Sequence, residues 1–159
     1  MSAEPVDPTT GRALGLDLGE RRIGVAVCDG ARTVATPLET VYRAGDRSVE
    51  HDRLRELATE YEATIVVVGL PLALDGAIGP AAGKVLSECR GLRRRLGLTV
   101  VSHDERLSTV EGTRSLHAQG INTRDGRHVI DQLAAQVILQ SWIEAGCPTE
   151  PPRRSHRQP

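Results

Sequence analysis

Apolar runs of strand length alternate with longer stretches of helical spacing along this chain. Residues 13–17 form a short apolar run closed by an acid, and residues 23–28 form a second run rich in Val. The tight connection at residues 19–22 predicts an antiparallel hairpin. Residues 33–41 read as a third strand, broken near Pro37. Residues 64–69 (TIVVVG) are almost continuously apolar, as a strand covered on both faces must be, and residues 98–102 give another buried strand. Between these runs the period changes. Residues 47–61 place Leu54, Leu57, Ala58 and Tyr61 on one helical face, and residues 80–96 do the same with Ala82, Val85, Leu86, Cys89, Leu92 and Leu96. Ser108, with Glu111 three residues on, reads as a capping box opening a further helix. After a polar loop at residues 120–127, residues 130–145 carry a stripe of Ile130, Leu133, Ala134, Val137, Ile138 and Trp142.

Three antiparallel strands followed by alternating helices and parallel strands predict an α/β fold. It is a mixed five-stranded sheet with helices on both faces. Residues 1–11 and 146–159, the latter rich in Pro and Arg, are expected to be disordered tails around a folded domain at 12–145. At 159 residues, a single domain with one hydrophobic core is the expectation.

Composition narrows the chemistry. With no Phe, one Trp and two Tyr, the core must be aliphatic, and aromatic platforms for base stacking are scarce. Net charge is −1, but Arg90, Arg93, Arg94 and Arg95 crowd one segment, Arg124 and Arg127 another, and Arg153, Arg154 and Arg157 the tail. Cys28, Cys89 and Cys147 are unpatterned, which argues against a disulfide scaffold or zinc knuckle and for a reducing compartment. No leader-like or membrane-spanning run is present, so a cytoplasmic protein is expected.

Acids stand where such sheets usually house their chemistry, at the carboxyl ends of strands and on the adjoining helix. Asp17 ends the first strand, Asp104 and Glu105 follow the fifth, and Asp131 opens the last helix. If the first and fifth strands lie near each other, these carboxylates gather. Two such charges ~4 Å apart repel by about 4 kcal/mol at an effective dielectric of ~20. A hard divalent cation relieves that repulsion, and oxygen-only donors select Mg²⁺ or Mn²⁺ over zinc. Each acid also has a plainer reading. Asp131 could favour its helix dipole, and Asp104 could pair with Arg106.

Candidate phosphate contacts surround the acids. Asp17-Leu18-Gly19 with Gly24 makes a glycine turn carrying Arg21 and Arg22, whose guanidinium groups match phosphate. The glycines alone are better explained by a hairpin that needs positive φ, and it is Arg21 and Arg22 in the same turn that favour phosphate. Arg106, Ser108 and Thr109 could offer a second phosphate a cation, hydroxyls and a helix N-terminus, although N-capping also accounts for Ser108. A glycine- and proline-rich loop spans residues 69–79, and Lys84, the only lysine, lies just beyond it.

Four segments together resemble a known family: LGLDLGERRIGVAVCD, VVVGLPLALDGAIG, DERLSTVEG and VIDQLAAQVILQSWI. In this order and spacing they look like the YqgF family, also called RuvX, of the RNase H-like superfamily. The match covers nearly all of residues 13–145. The resemblance implies an RNase H-like fold and a two-metal nuclease using Mg²⁺ or Mn²⁺, with Asp17, Glu105 and Asp131 as ligands and catalytic groups. It implies action on structured RNA, at the 5′ end of pre-16S ribosomal RNA. The alternative it carries is resolution of four-way (branched) DNA junctions, by likeness to RuvC, for which a two-fold homodimer is expected. The basic residue that family members carry before the last acid falls at Arg127 or His128. Two other classes stay open: an actin-like ATPase domain, whose phosphate loop also follows D-x-G but which needs two such domains, and a non-catalytic RNA-binding module.

Overall fold

The computed structural model describes residues 5–107 and 124–150. The helix expected at Ser108, with Thr109 and Glu111, lies outside the described residues, as do the side chains of Arg127 and His128. Strands β1 (Arg12–Leu18), β2 (Arg22–Cys28) and β3 (Ala35–Tyr42) are followed by helix α1 (Arg47–Glu60), strand β4 (Ala63–Leu70), helix α2 (Pro80–Leu96) and strand β5 (Thr99–Asp104). A single 3₁₀ turn, Glu105–Leu107, and helix α3, Arg124–Glu144, complete the order. Among the described residues, no helix is long and apolar enough to cross a membrane.

The five strands lie in the order β3-β2-β1-β4-β5, antiparallel from β3 to β1 and parallel from β1 to β5. This is the expected mixed sheet. One detail differs: β1 and β5 are not neighbours, because β4 lies between them. The most continuously apolar run therefore takes an interior position, flanked by parallel partners on both sides.

Alternation along the strands sorts the core into two layers. Leu14, Leu16, Val25, Val66 and Val68 pack against α1 and α2, whereas Ala13, Ala26, Ile65, Val67 and Val101 pack against α3. The two faces of β1 and β2 differ in bulk. On the α3 face β1 offers only Ala13, Gly15 and Asp17, so the helix sits close. A Cβ on Gly15 would stand 2.7 Å from Leu139 Cβ, and one on Gly24 would collide with the Asp131 backbone carbonyl.

Three boundaries move from expectation. β3 is not broken at Pro37. The register slips between Val25 and Ala26, which face Glu39 and Pro37, so Leu38 is the extra residue of a bulge. An edge strand tolerates proline there. β5 runs two residues past Ser102, and Glu105 opens the 3₁₀ turn. α3 begins at Arg124, inside the expected loop, because Gly126 weakens a helix by only about 1 kcal/mol and nothing there breaks it.

Ordered hydrogen bonds also pass the expected domain limits of 12 and 145. The Arg32 guanidinium donates to the carbonyls of Pro8 (2.7 Å), Thr10 (3.0 Å) and Gly11 (2.7 Å). At the other end Trp142 Nε1 donates to the Pro148 carbonyl at 3.0 Å.

Candidate active site

The site begins with the hairpin between β1 and β2. Gly19 N–H donates to the carbonyls of Asp17 (3.1 Å) and Arg22 (3.0 Å), closing a turn in which a Cβ on Gly19 would lie 2.6 Å from the Arg22 oxygen. Only glycine allows that closure. Asp17 pairs in register with Gly24, is 6% exposed, and shares the α3 side of the sheet with Ala13 and Gly15. Its carboxylate is thereby held at the sheet's carboxyl edge, beneath α3.

Glycines bring the other two acids to this edge. Gly24 contacts the backbone of Asp131, so Asp131 is seated one strand away from Asp17. On the other side Gly69 of β4 lies under Glu105, where an added Cβ would meet Glu105 Oε1 at 2.8 Å. The space above β4 is thus what lets a residue at the end of β5 reach towards β1. Since α3 starts at Arg124, Asp131 lies beyond its first turn, outside the reach of the helix dipole. That removes the plainer account of this acid.

Asp131 has a specific partner instead. Arg22 Nε donates to Asp131 Oδ2 at 2.6 Å, with both side chains half-buried. The guanidinium expected to hold phosphate thus neutralises one acid of the site. Among the described residues, no three His, Cys, Asp or Glu side chains already stand close enough to share a metal ion. The acids face one corner, with Arg22 as the cation in it.

The remaining candidates divide. Asp104 takes Arg106 as its partner (2.7 Å), and hydrogen bonds from Arg106 hold its carboxyl below the usual range despite burial. Arg106 also donates to the Leu74 carbonyl at 3.1 Å, tying the glycine-rich loop to the end of β5. Arg21 is exposed at the tip of the hairpin. His103, buried between β5 and α3, bonds Ser141 Oγ at 2.8 Å, while Ser141 donates to the Leu107 carbonyl at 3.2 Å. The serine's single proton is then committed, so His103 Nε2 is the donor. Burial pushes the His103 imidazole below its ordinary pKa, in keeping with a neutral ring that locks α3 to the turn carrying Glu105.

One group of residues had no place in the sequence expectations. Arg43, just after β3, donates through Nε to the Gly19 carbonyl at 2.9 Å. Its other nitrogens reach Glu50 (2.9 Å) and both oxygens of Glu88 (2.8 Å each), and His51 Nε2 donates to Glu88 at 2.8 Å. Glu50, His51 and Glu88 are 3–5% exposed. Burial pushes the Glu88 carboxyl up, but the bonds from His51 and Arg43 outweigh it and hold the pKa down at about 2. A buried ion network thus runs from the α1–α2 interface to the turn that presents Asp17. The available signal was charge at apolar register: Glu88 follows Val85 by three residues, and Glu50 and His51 precede Leu54 by four and three.

Comparison with known proteins agrees with this frame. Relatives from Mycobacterium bovis and Mycobacterium tuberculosis, each named "Putative pre-16S rRNA nuclease", are 49% identical over 140 residues, covering 87% of this chain and 81% of their own length. A relative of the same name from a further Mycobacterium species is 46% identical over 141 residues, covering 87% of this chain and 82% of its own. Among solved structures, T. thermophilus RuvC in complex with a Holliday junction substrate superposes with a TM-score of 0.55 at 16% identity, over 87% of this chain and 98% of that one. That likeness is one of fold, and the fold is the α/β RNase H-like fold. The RuvX family model, described as Holliday junction resolvase, matches residues 11–145, and the chain belongs to this family.

Proposed function

We propose that this chain is a metal-dependent nuclease that hydrolyses phosphodiester bonds, acting at the 5′ end of pre-16S ribosomal RNA in the cytoplasm. The observation that supports the reading is that Gly24, which pairs with Asp17, lies against the Asp131 backbone while Gly69 lies against Glu105, so the three acids sit at the same end of the sheet. Their donor atoms are all carboxylate oxygens, a set that suits Mg²⁺ or Mn²⁺. The three residues would hold the ions, and a pair of such ions supplies activation of water and stabilisation of the leaving oxygen.

What the chain itself does follows from its geometry. The Gly19 turn fixes Asp17, the His103–Ser141 bond fixes the turn carrying Glu105, and Arg22 holds Asp131. Arg21, Arg106, Ser108, Thr109, Arg127 and His128 are proposed as contacts to the nucleic-acid backbone, within a nuclease domain spanning 12–145. Asp17→Asn keeps the volume of the side chain and its place in the hairpin. It should abolish Mn²⁺-dependent cleavage of precursor RNA while circular dichroism stays unchanged. Full activity in that variant would sink the proposal.

The family description favours a second reading, cleavage of four-way DNA junctions. Paired cuts across a junction need two sites related by a two-fold axis. Side-by-side cleavage of a synthetic junction and precursor RNA, with sedimentation of the protein under the same conditions, separates the two. Junction cutting by a dimer with no RNA cleavage would replace the first reading.

A further inference from the structure

We infer that an open basic cavity beside the acid corner holds an unpaired stretch of nucleic acid next to the scissile bond. The inference rests on the nuclease reading and names the form of its substrate. The cavity encloses about 1240 Å³ on the α1–α2 side of the hairpin, larger than the ~300–1,000 Å³ that pockets for small molecules occupy. Its size and openness suit a chain passing through, rather than a small ligand enclosed.

Charge selects the ligand. Arg21, Arg47 and Lys84 line the cavity and are exposed, and among the described residues none of them makes an ion pair. The N-terminus of α2 opens on the same space through Ala81. Gly79 caps that helix without a side-chain hydrogen bond, and its first turn carries no acid. Unshared cations and uncapped N–H groups together favour an anion. By contrast, the acids Glu50 and Glu88 on the cavity wall are already committed to Arg43, which leaves Glu20 as the one exposed acid of the lining against three exposed cations.

Position selects the strand. Arg22 lines this cavity and also grips Asp131, so one side chain borders both the cavity and the acid corner on the two sides of the β1–β2 hairpin. A strand whose phosphate lies at the acids would have neighbouring phosphates within reach of the cavity. An aromatic ring then says which kind of strand. Trp142 is 1% exposed and Tyr61 is partly buried, whereas Tyr42 is 52% exposed and stands at the cavity, in register with Arg22. A ring in that place can stack on one base while the cations hold the flanking phosphates. Paired bases are stacked within their duplex and offer no such face, so the segment in the cavity is single-stranded.

The test is metal-free binding of a fluorescent oligouridylate to the full-length protein, read by anisotropy in EDTA. A fully paired duplex of equal length is the comparison. The single strand should bind more tightly than the duplex. Tyr42→Leu, which keeps apolar bulk without a ring, should weaken it about tenfold. Arg47→Ala and Lys84→Ala should each weaken it and flatten the dependence of log K on log salt by about 0.7 for each phosphate no longer neutralised. All three variants should keep their circular dichroism and their Mn²⁺ affinity. Unchanged oligonucleotide affinity in the variants would overturn the inference, as would equal binding of the duplex with the same dependence on Tyr42. Displacement of the oligonucleotide by low-millimolar inorganic phosphate would also overturn it, showing a site for a free anion. Because no cleavage is measured, this outcome is independent of the nuclease proposal: strand binding without cleavage sinks only the latter, and cleavage with unaltered binding sinks only the cavity.

Discussion

At the scale of single residues, the Arg22–Asp131 pair is the feature that sequence could not offer. The partners are 109 positions apart, and no periodicity connects them. Asp17 was legible because a strand end, a glycine turn and a recognisable motif meet there. Choosing Glu105 over Asp104 needed the motif. In the structure Asp104 pairs with Arg106, and Glu105 lies over Gly69. Arg22 occupies one carboxylate oxygen of Asp131, so its charge would compete with a cation held there. Arg22→Ala should therefore tighten Mn²⁺ binding by about tenfold, which corresponds to about 1.4 kcal/mol, the lower end for a hydrogen bond to a charged group. Calorimetric titration of the variant checks this, and weaker binding would show that Arg22 organises the acids and does not compete with the ion.

At the scale of elements, the site depends on how closely α3 lies on the sheet. Apolar runs of strand length made the described strands legible, but the stripe read for α3 was only partly right. Ala134, Ile138 and Trp142 are buried with Ala135 and Leu139, whereas Ile130, Leu133 and Val137 are half-buried, because the face is turned towards the glycines of the sheet. The closeness was not legible, because glycines in strands read as weak points until the helix above them is seen. Boundaries moved for similar reasons: a bulge absorbs Pro37, and β5 continues through polar Ser102, His103 and Asp104 because β4 pairs with them. A methyl group at Gly24 meets the backbone of Asp131, which cannot rotate aside. Gly24→Ala should then cost about 3 kcal/mol, the upper end for overpacking, and lower the melting temperature by roughly 6–12 °C. The same shift of α3 should remove cleavage. A variant that melts normally and cleaves would show that the helix can ride higher without harm to the site.

For the molecule as a whole, a net charge of −1 conceals two arrangements of opposite kind: exposed cations around the cavity, and a buried network in which Arg43 and His51 meet Glu50 and Glu88. The second ties α1, α2 and the β1–β2 hairpin together, so its stability is that of the fold and of the Asp17 turn at once. Glu88 has a folded pKa of about 2 against an ordinary value of 4.5. A depressed carboxyl contributes stability fully above the unfolded value, and the contribution is lost as pH falls from about 4.5 through about 2. Glu88→Gln removes that contribution at every pH and leaves Arg43 with Glu50 as its one remaining anion, at a cost of about 3 kcal/mol near neutrality. Melting temperatures of parent and variant should differ most above pH 4.5, and the gap should narrow steadily as the solution is acidified towards pH 2. The curves converge because the parent, once Glu88 is protonated, has lost the same ion pair. A gap that stays constant through that window would mean that the network holds the hairpin by shape and hydrogen bonding alone, and that the charge on Glu88 contributes nothing to keeping Asp17 in place.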